Sequence, residues 1–280
     1  MSYFFFSLIL LSGLLHAIWN TLLKASGKNV TVLWLSTTIG CFVISPFVVL
    51  NIFNQNISVL LKWSFYSAVI HCFYYFSLTY SYSKYSMSVI YPISRGLGIL
   101  ISSCFGVFFL KDILSPLGLV GMVVILTGIG LFSVLNSKSG ATFVELVYGC
   151  LVGLCISGYL LFDFVAIGYV EKISFVFCLY LIMNIMILPY FLLFKRKDLL
   201  DAFKTKKLIS LVIGICALVS YILILYVLEV IEIGYVVSLR ETSIIFAAFL
   251  SFFVLKERFS VLKWGAIFCI TAGAFLIKFS

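Results

Sequence analysis

The chain has 280 residues, 64% of them hydrophobic and only 10% charged, with a net charge of +9. About 25% of the residues in a soluble globular domain are charged, so this composition excludes such a domain and indicates a polytopic membrane protein. The positive charge lies mostly in the loops, where it reports topology and contact with anionic lipid headgroups, and no binding to nucleic acid is expected. The eight cysteines show no metal-ligand spacing, so we expect neither a metal site nor a cofactor.

The apolar sequence begins at the N-terminus with MSYFFFSLILLSGLL. This stretch lacks the positive n-region and the cleavage site of a secretory signal, so we interpret it as a retained first span. Turn residues and charges divide the whole chain into ten apolar segments, each near the roughly 20 residues that a membrane-spanning helix needs. The predicted spans are 3–23, 31–53, 62–81, 86–110, 116–136, 143–168, 173–194, 208–227, 232–255 and 260–279.

The segment from 91 to 133 recurs without a gap at 236 to 278. A repeat of this size indicates a fold that is built from two copies of one unit. Each copy occupies the last two spans of a five-span half, and an odd number of spans per half gives the two halves opposite orientations in the bilayer. The identical pairs are Arg95/Arg240, Ile99/Ile244, Phe108/Phe253, Leu110/Leu255, Lys111/Lys256, Ser115/Ser260, Leu117/Leu262, Ile125/Ile270, Gly128/Gly273 and Leu131/Leu276.

The fold prediction follows from the spans and the repeat together. We predict an all-α membrane protein with ten transmembrane helices, arranged as two inverted five-helix repeats. The first repeat covers residues 1–138 and the second covers residues 139–280. Inverted repeats are the plan of many secondary transporters, which bind their substrate near the midplane between the two halves.

The first span contains HAIWNTLLK, which places polar groups inside the membrane. His16, Asn20 and Lys24 recur every four residues and therefore share one helix face, with Trp19 beside them. Ionisable groups inside spans are costly and are candidates for function. Two interpretations of His16 stay open: a buried neutral imidazole bonded to a neighbour, or a group that binds substrate or relays protons. Lys24 lies near the end of the span, where an interfacial anchor is the favoured interpretation.

The sixth span contains GYLLFDFVAIGY, in which Tyr159 and Asp163 stand four residues apart on one helix face. Asp163 is a lone carboxylate well inside a span, and it needs a partner such as Arg240, His16 or a bound cation to remain charged. A functional role and a structural ion pair both stay open at this position.

Arg95 and Arg240 match across the repeat, so a two-fold axis between the copies would give them related positions around a central cavity. Pro92 removes a backbone donor, and we expect the fourth span to be interrupted there. A planar guanidinium is well suited to an anionic substrate group. The alternative is that Arg95 binds a carbonyl and that Arg240 pairs with Asp163 or Glu241. Neighbours on a helix point about 100° apart, which makes Glu241 a poor partner for Arg240. Further aromatic groups inside spans, for which packing is the favoured interpretation, are His71, Tyr74, Tyr75 and Tyr221.

The two halves, each ending in an amphipathic turn of the type FFLKDILSPLGLVGMVVILTGIGL, resemble the drug/metabolite transporter superfamily, in particular its ten-span EamA-type members. HAIWNTLLK also resembles the first helix of the small multidrug-resistance transporters, whose pattern is A-E-x-x-x-T-T-L-M-K. Aligning TLLK on TLMK places His16 where those relatives carry a proton-coupling glutamate. The resemblance implies that both termini lie in the cytoplasm, whereas the loop Lys and Arg residues, counted by the positive-inside rule, place them outside.

The leading hypothesis is a secondary transporter, not an enzyme, that moves a small polar metabolite, anionic or zwitterionic, by alternating access. We expect a multi-pass protein of the bacterial inner membrane whose partners are this small molecule, the lipid bilayer, and coupled protons or another solute. The alternatives are a flippase for a lipid-linked headgroup and a membrane-embedded transferase, although the chain shows no paired catalytic carboxylates or nucleophile arrangement. The predicted substrate-binding residues are His16, Trp19, Asn20, Tyr91, Ser94, Arg95, Tyr159, Asp163 and Arg240.

Overall fold

The computed structural model describes residues 1–26, 30–85, 87–134, 142–254 and 260–280, and all regular secondary structure in these ranges is helical. A helix satisfies its own backbone polar groups, which a segment in lipid requires because no water is present there. The helices are α1 (Tyr3–Ala25), α2 (Val30–Ile52), α3 (Ile57–Lys84), α4 (Met87–Phe105) with a π-helical extension (Gly106–Leu110), α5 (Pro116–Val134), α6 (Phe143–Ala166), α7 (Lys172–Phe194), α8 (Arg196–Thr205), α9 (Lys207–Leu228), α10 (Ile233–Arg240), α11 (Ser243–Val254) and α12 (Val261–Lys278).

Several helices begin at a side chain that caps the free amides of the first turn. Ser2, Asn56 and Ser260 accept hydrogen bonds from the amides three residues later. Thr142 and Glu145 form a reciprocal capping box at the start of α6, and Glu171 accepts from two amides at the start of α7. The starts of these spans are therefore fixed by short-range chemistry.

The predicted helical membrane class is confirmed. Within the described ranges, nine helical segments are long and apolar enough to cross a membrane, and the apolar stretch of α5, Pro116–Leu131, is shorter. The predicted count of ten spans stays a prediction. The sequence did not predict α8, a short helix in the basic loop that follows α7.

The ninth predicted span is not continuous, because it divides into α10 and α11. At the break, the amides of Glu241 and Thr242 bond to carbonyls three residues earlier, at 3.1 and 3.0 Å, instead of four. The Thr242 hydroxyl also donates to the carbonyl of Leu239, at 2.7 Å, and such back-bonding bends helices. Helix α1 approaches the break closely, since a Cβ on Gly13 would lie 3.2 Å from Thr242 Oγ1.

The interruption expected at Pro92 is wrong, because α4 runs through this residue. Pro92 lies in the second turn of α4, where its missing amide removes a single hydrogen bond. Few residues of the helix precede Pro92, so little backbone has to adjust to the proline ring.

Helices of the first half pack mainly on helices of the second half. Helix α1 packs on α9 and α11, α2 on α7 and α9, α3 on α6 and α7, α4 on α6, and α5 on α12. Exchanging the helices of one half for those of the other returns the same set of contacts, as two repeats related by a two-fold axis would require. The division into two repeats stays a prediction. Its boundary at residues 138 and 139, and residues Leu255 and Lys256 of the repeat, lie outside the described residues.

The same contacts group the helices into two spatial bundles. The first bundle contains α1, α2, α9, α10 and α11, and the second contains α3, α4, α6 and α7. Between the bundles run the contacts of α2 with α7, of α4 with α10, and of α9 with α6 and α7. Each bundle therefore mixes helices from both halves of the sequence.

Candidate functional site

Arg95 of α4 forms an ion pair with Glu241, which lies at the break between α10 and α11. The distance from Arg95 Nη1 to Glu241 Oε1 is 3.3 Å, and the glutamate side chain is only 3% exposed. Tyr91 donates to the other carboxylate oxygen at 3.3 Å, and its ring centroid lies 5.3 Å from the Arg95 guanidinium. The pair joins the two bundles. The sequence missed it, because neither interpretation of Arg95 considered Glu241.

Arg240, the residue equivalent to Arg95 in the repeat, has a different environment. Its guanidinium carbon lies 5.8 Å from the ring centroid of Tyr221 on α9, a cation–π contact. Its Nε is buried and has no hydrogen-bond partner among the described residues. Helix α1, which carries His16, packs against α10, the helix that ends at Arg240. Arg240 is therefore a cation inside the bundle that no carboxylate of the described ranges neutralises by a salt bridge.

His16 and Trp19 stack edge to face on α1, with ring centroids 5.0 Å apart. The exposed amide of Asn20 donates to the carbonyl of His16 at 2.8 Å. Ser94 is buried and donates to the carbonyl of Tyr91, in its own helix, at 3.0 Å. The side chains of Asn20 and Ser94 thus donate to carbonyls of their own helices. Among the described residues, neither side chain makes a further hydrogen bond with the rest of the predicted site.

Asp163 is fully buried and accepts two hydroxyl hydrogen bonds, from Ser67 of α3 and from Tyr221 of α9. His71, one turn after Ser67, places its Nε2 at 3.9 Å from Asp163 Oδ2. The predicted partners of Asp163 were Arg240, His16 or a cation, and the observed ones are two hydroxyls and a different histidine. We name this group, Ser67, His71, Asp163 and Tyr221, the carboxylate cluster.

Tyr159 packs on the carboxylate cluster, with its ring centroid 4.3 Å from that of His71 and 5.2 Å from that of Tyr74. Among the predicted residues, the structure brings together Arg95 with Tyr91 and His16 with Trp19. Tyr159 adjoins Asp163 through His71, and Arg240 adjoins the same cluster through Tyr221. The spacing of Ser67 and His71, four residues apart in SFYSAVIH, was the available signal for the members that the sequence missed. The described residues contain no group of three or more His, Cys, Asp or Glu side chains that could hold a metal ion.

Comparison with known proteins identifies the family. Residues 144–279 match the model of the EamA-like transporter family. This match, over the second half of the chain, supports membership in the drug/metabolite transporter superfamily. The family implies an integral, multi-pass membrane transporter with a small-molecule substrate and the lipid bilayer as its surroundings.

A solved structure titled "Crystal structure of protein" has the fold of this transporter, with a TM-score of 0.74. The two chains are 15% identical, and the match covers 100% of the transporter and 98% of the other chain. At this identity the likeness shows the fold alone. No curated protein matches the transporter.

Proposed function

We propose that this protein is a secondary active transporter that moves a small polar metabolite with an anionic group, and that Arg240 binds this group. The observation that carries the proposal is the buried, unbonded Nε of Arg240. A guanidinium inside a membrane protein is costly unless a partner or a ligand satisfies its charge. Its planar donors suit a carboxylate, phosphate or phosphonate.

The charges around Arg240 support an anion over a zwitterion. Glu241 is bound by Arg95 and Tyr91, and Asp163 accepts from two hydroxyls. An ammonium group would have to compete with these donors for either carboxylate. His16 and Trp19, on the α1 face near Arg240, are proposed to contact the rest of the solute, and Tyr91 and Tyr159 are proposed as aromatic walls.

For the mechanism, we propose alternating access by movement of the two spatial bundles. The two halves of the sequence interleave, so they are poor candidates for rigid moving bodies. The bundles are better candidates, because the Arg95–Glu241 pair and the Asp163–Tyr221 hydrogen bond both run from one bundle to the other. A change at either contact would alter how the bundles are held together.

Binding and transport of a defined solute panel test the anion proposal. The panel contains succinate, glutamate, glycerol 3-phosphate and 2-aminoethylphosphonate, with glycerol as a neutral reference. Thermal shift of the purified transporter identifies the best ligand, since a ligand of the native state stabilises it. Counterflow of that ligand in proteoliposomes then compares the wild type with two variants.

The variants are Arg240→Gln and its matched control Arg196→Gln, which changes an exposed arginine at the start of α8. We expect Arg240→Gln to lower counterflow at least tenfold, because a charge-assisted hydrogen bond to the solute is lost, about 1.5–3 kcal/mol. Arg196→Gln is expected to retain the wild-type rate. Equal counterflow in the wild type and Arg240→Gln would show that the anion binds elsewhere.

The inner membrane of a bacterium and cytoplasmic termini are proposed on the family resemblance. A C-terminal reporter that is active only in the cytoplasm tests the orientation, and an inactive reporter would favour the opposite orientation that the loop charges predict.

A further inference from the structure

The hydrogen positions in the carboxylate cluster can be assigned from its geometry. His71 Nδ1 lies 3.0 Å from the carbonyl oxygen of Ser67, which can only accept, so Nδ1 carries a hydrogen. The Ser67 hydroxyl donates to Asp163 Oδ1, and the Tyr221 hydroxyl donates to Asp163 Oδ2. In the neutral imidazole, Nε2 then has a lone pair and no hydrogen.

His71 Nε2 and Asp163 Oδ2 therefore face each other across 3.9 Å as two acceptors. One added proton would convert this contact into a hydrogen bond: on Nε2 it gives an imidazolium that donates to the carboxylate, and on Oδ2 it gives a carboxylic acid that donates to Nε2.

We propose that the pair of His71 and Asp163 binds one proton, and that this proton is the coupling ion of the transporter. The role of the proton as coupling ion rests on the proposed function. The binding of the proton does not, because it needs no substrate. Sodium fits the cluster poorly, because the Ser67 and Tyr221 hydroxyls point their hydrogens at the carboxylate oxygens that a cation would need.

Tyr221 connects the proton site to the anion site. Its hydroxyl donates to Asp163 in the second bundle, and its ring lies under the guanidinium of Arg240 in the first bundle. When a proton neutralises the carboxylate, the bond from Tyr221 loses its charge assistance and the hold between the bundles weakens. An anion at Arg240 binds the guanidinium that lies over the same ring. Proton and anion thus act on one contact between the bundles.

The cluster contains or adjoins several other titratable or charged groups. Tyr180 of α7 lies with its ring centroid 6.4 Å from that of His71. The cations on adjoining helices are Arg95, which Glu241 binds, and Arg240. The titratable or charged groups in ring contact with the cluster are Tyr159 on α6, Tyr180 on α7 and Arg240 on α10, and Tyr74 on α3 packs on Tyr159.

Infrared difference spectroscopy of the full-length transporter, reconstituted in lipid, tests the proton site with the proton as its only ligand. Changing from alkaline to acidic buffer is expected to produce a buried carboxylic-acid or imidazolium signal in the wild type. Asp163→Asn is expected to abolish this signal, and His71→Gln to abolish it or move it to a different pH. The matched control Asp201→Asn, at an exposed carboxylate on α8, is expected to retain it. A signal that is absent in the wild type, or unchanged in Asp163→Asn, would overturn the proton site.

Proteoliposomes test the coupling with the solute panel defined above. In the wild type, a pH gradient is expected to drive accumulation of the transported panel member at least fivefold above equilibrium. Asp163→Asn is expected to lose this accumulation, whereas the control Asp201→Asn is expected to retain it. Accumulation by Asp163→Asn at the wild-type level, or accumulation driven by sodium alone, would refute proton coupling. A loss of counterflow in Arg240→Gln with an intact infrared signal separates the two sites. If no panel member is carried, the anion proposal fails and the infrared result still decides the proton site.

Discussion

Arg95 and Glu241 are two charges that water does not reach freely, with side-chain exposures of 15% and 3%. Removing one partner leaves the other charge buried and unpaired, which costs about 3–5 kcal/mol in known cases. We therefore expect Arg95→Gln to be strongly destabilising and Arg95→Gln/Glu241→Gln to be markedly less so. Thermal and denaturant unfolding of the purified single and double variants measures this coupling. Strictly additive losses in the double variant would mean that the pair contributes nothing of its own.

At the residue scale, the sequence predicted which charged side chains lie inside the membrane but not how they pair. Arg95, Arg240 and Asp163 were recognised because charges in apolar runs are rare. The partners followed from three-dimensional detail that periodicity does not contain. Glu241 reaches Arg95 because the helix breaks beside it, and Asp163 is bonded by Ser67 and Tyr221 from two other helices. Hydroxyl groups are common in spans, so the four-residue spacing from His71 was the one signal for Ser67, and Tyr221 was interpreted as packing.

At the scale of elements, close packing of glycines holds α2 against α9. A Cβ on Gly214 would overlap the carbonyl oxygen of Ser36, and a Cβ on Gly40 would lie 3.0 Å from the carbonyl oxygen of Gly214. Small residues allow such close approach of membrane helices. Gly214→Ala must therefore push backbone away from backbone, and we expect it to destabilise the protein by about 1–3 kcal/mol.

The matched control for this substitution is Gly265→Ala on α12, where an added Cβ meets nothing within 4 Å. Alanine favours a helix over glycine by about 0.5–1 kcal/mol, so this variant is expected to be neutral or slightly more stable. Melting temperatures in one detergent compare the two variants. Equal stability of Gly214→Ala and Gly265→Ala would argue against a tight crossing of α2 and α9.

The element boundaries show where sequence reasoning works and where it fails. Hydropathy and turn residues place a long apolar helix well, and α7 at Lys172–Phe194 agrees with the predicted span 173–194. Interruptions inside a span are harder, because Pro92 is tolerated near a helix start while a threonine and local hydrogen bonding divide α10 from α11. Both effects depend on which neighbouring groups can satisfy the backbone.

At the scale of the whole molecule, the repeat predicts two related halves, but it does not predict that they interleave. Internal similarity reports duplication of a unit, whereas the grouping of helices depends on which faces pack across the duplication. The observed bundles place α9 with α1 and α2, and α6 with α3 and α4. The contacts that join the bundles then include the carboxylate cluster and the Arg95–Glu241 pair. Relative movement of the bundles would therefore change the distances between these polar groups.

A further contact between the bundles lies at the membrane side that carries the loops before α7 and after α9. Lys172 Nζ lies 2.5 Å from Glu229 Oε1 and 4.7 Å from the ring centroid of Tyr226. The glutamate side chain is 43% exposed, so the pair is worth no more than about 0–1 kcal/mol. We expect Lys172→Gln to loosen this end of the contact between α7 and α9 without unfolding the protein.

Hydrogen–deuterium exchange measures this loosening, because local opening governs the exchange of protected amides. Loss of about 0.5–1 kcal/mol corresponds to about two- to fivefold faster exchange in the segments around residues 167–173 and 227–233. The control is Lys195→Gln, which removes the pair of Lys195 with Asp198, about half exposed on both sides and three residues apart. That pair lies within the loop after α7 and does not connect the two bundles, so its loss is expected to leave the exchange rates of both segments unchanged. Faster exchange in Lys172→Gln alone would show that the Lys172–Glu229 ion pair stabilises the contact between the bundles. Identical exchange in both variants would show that the pair does not stabilise this contact. An ion pair this exposed is weak, so it can hold one side of the transporter closed and still be broken by the free energy of binding one small solute.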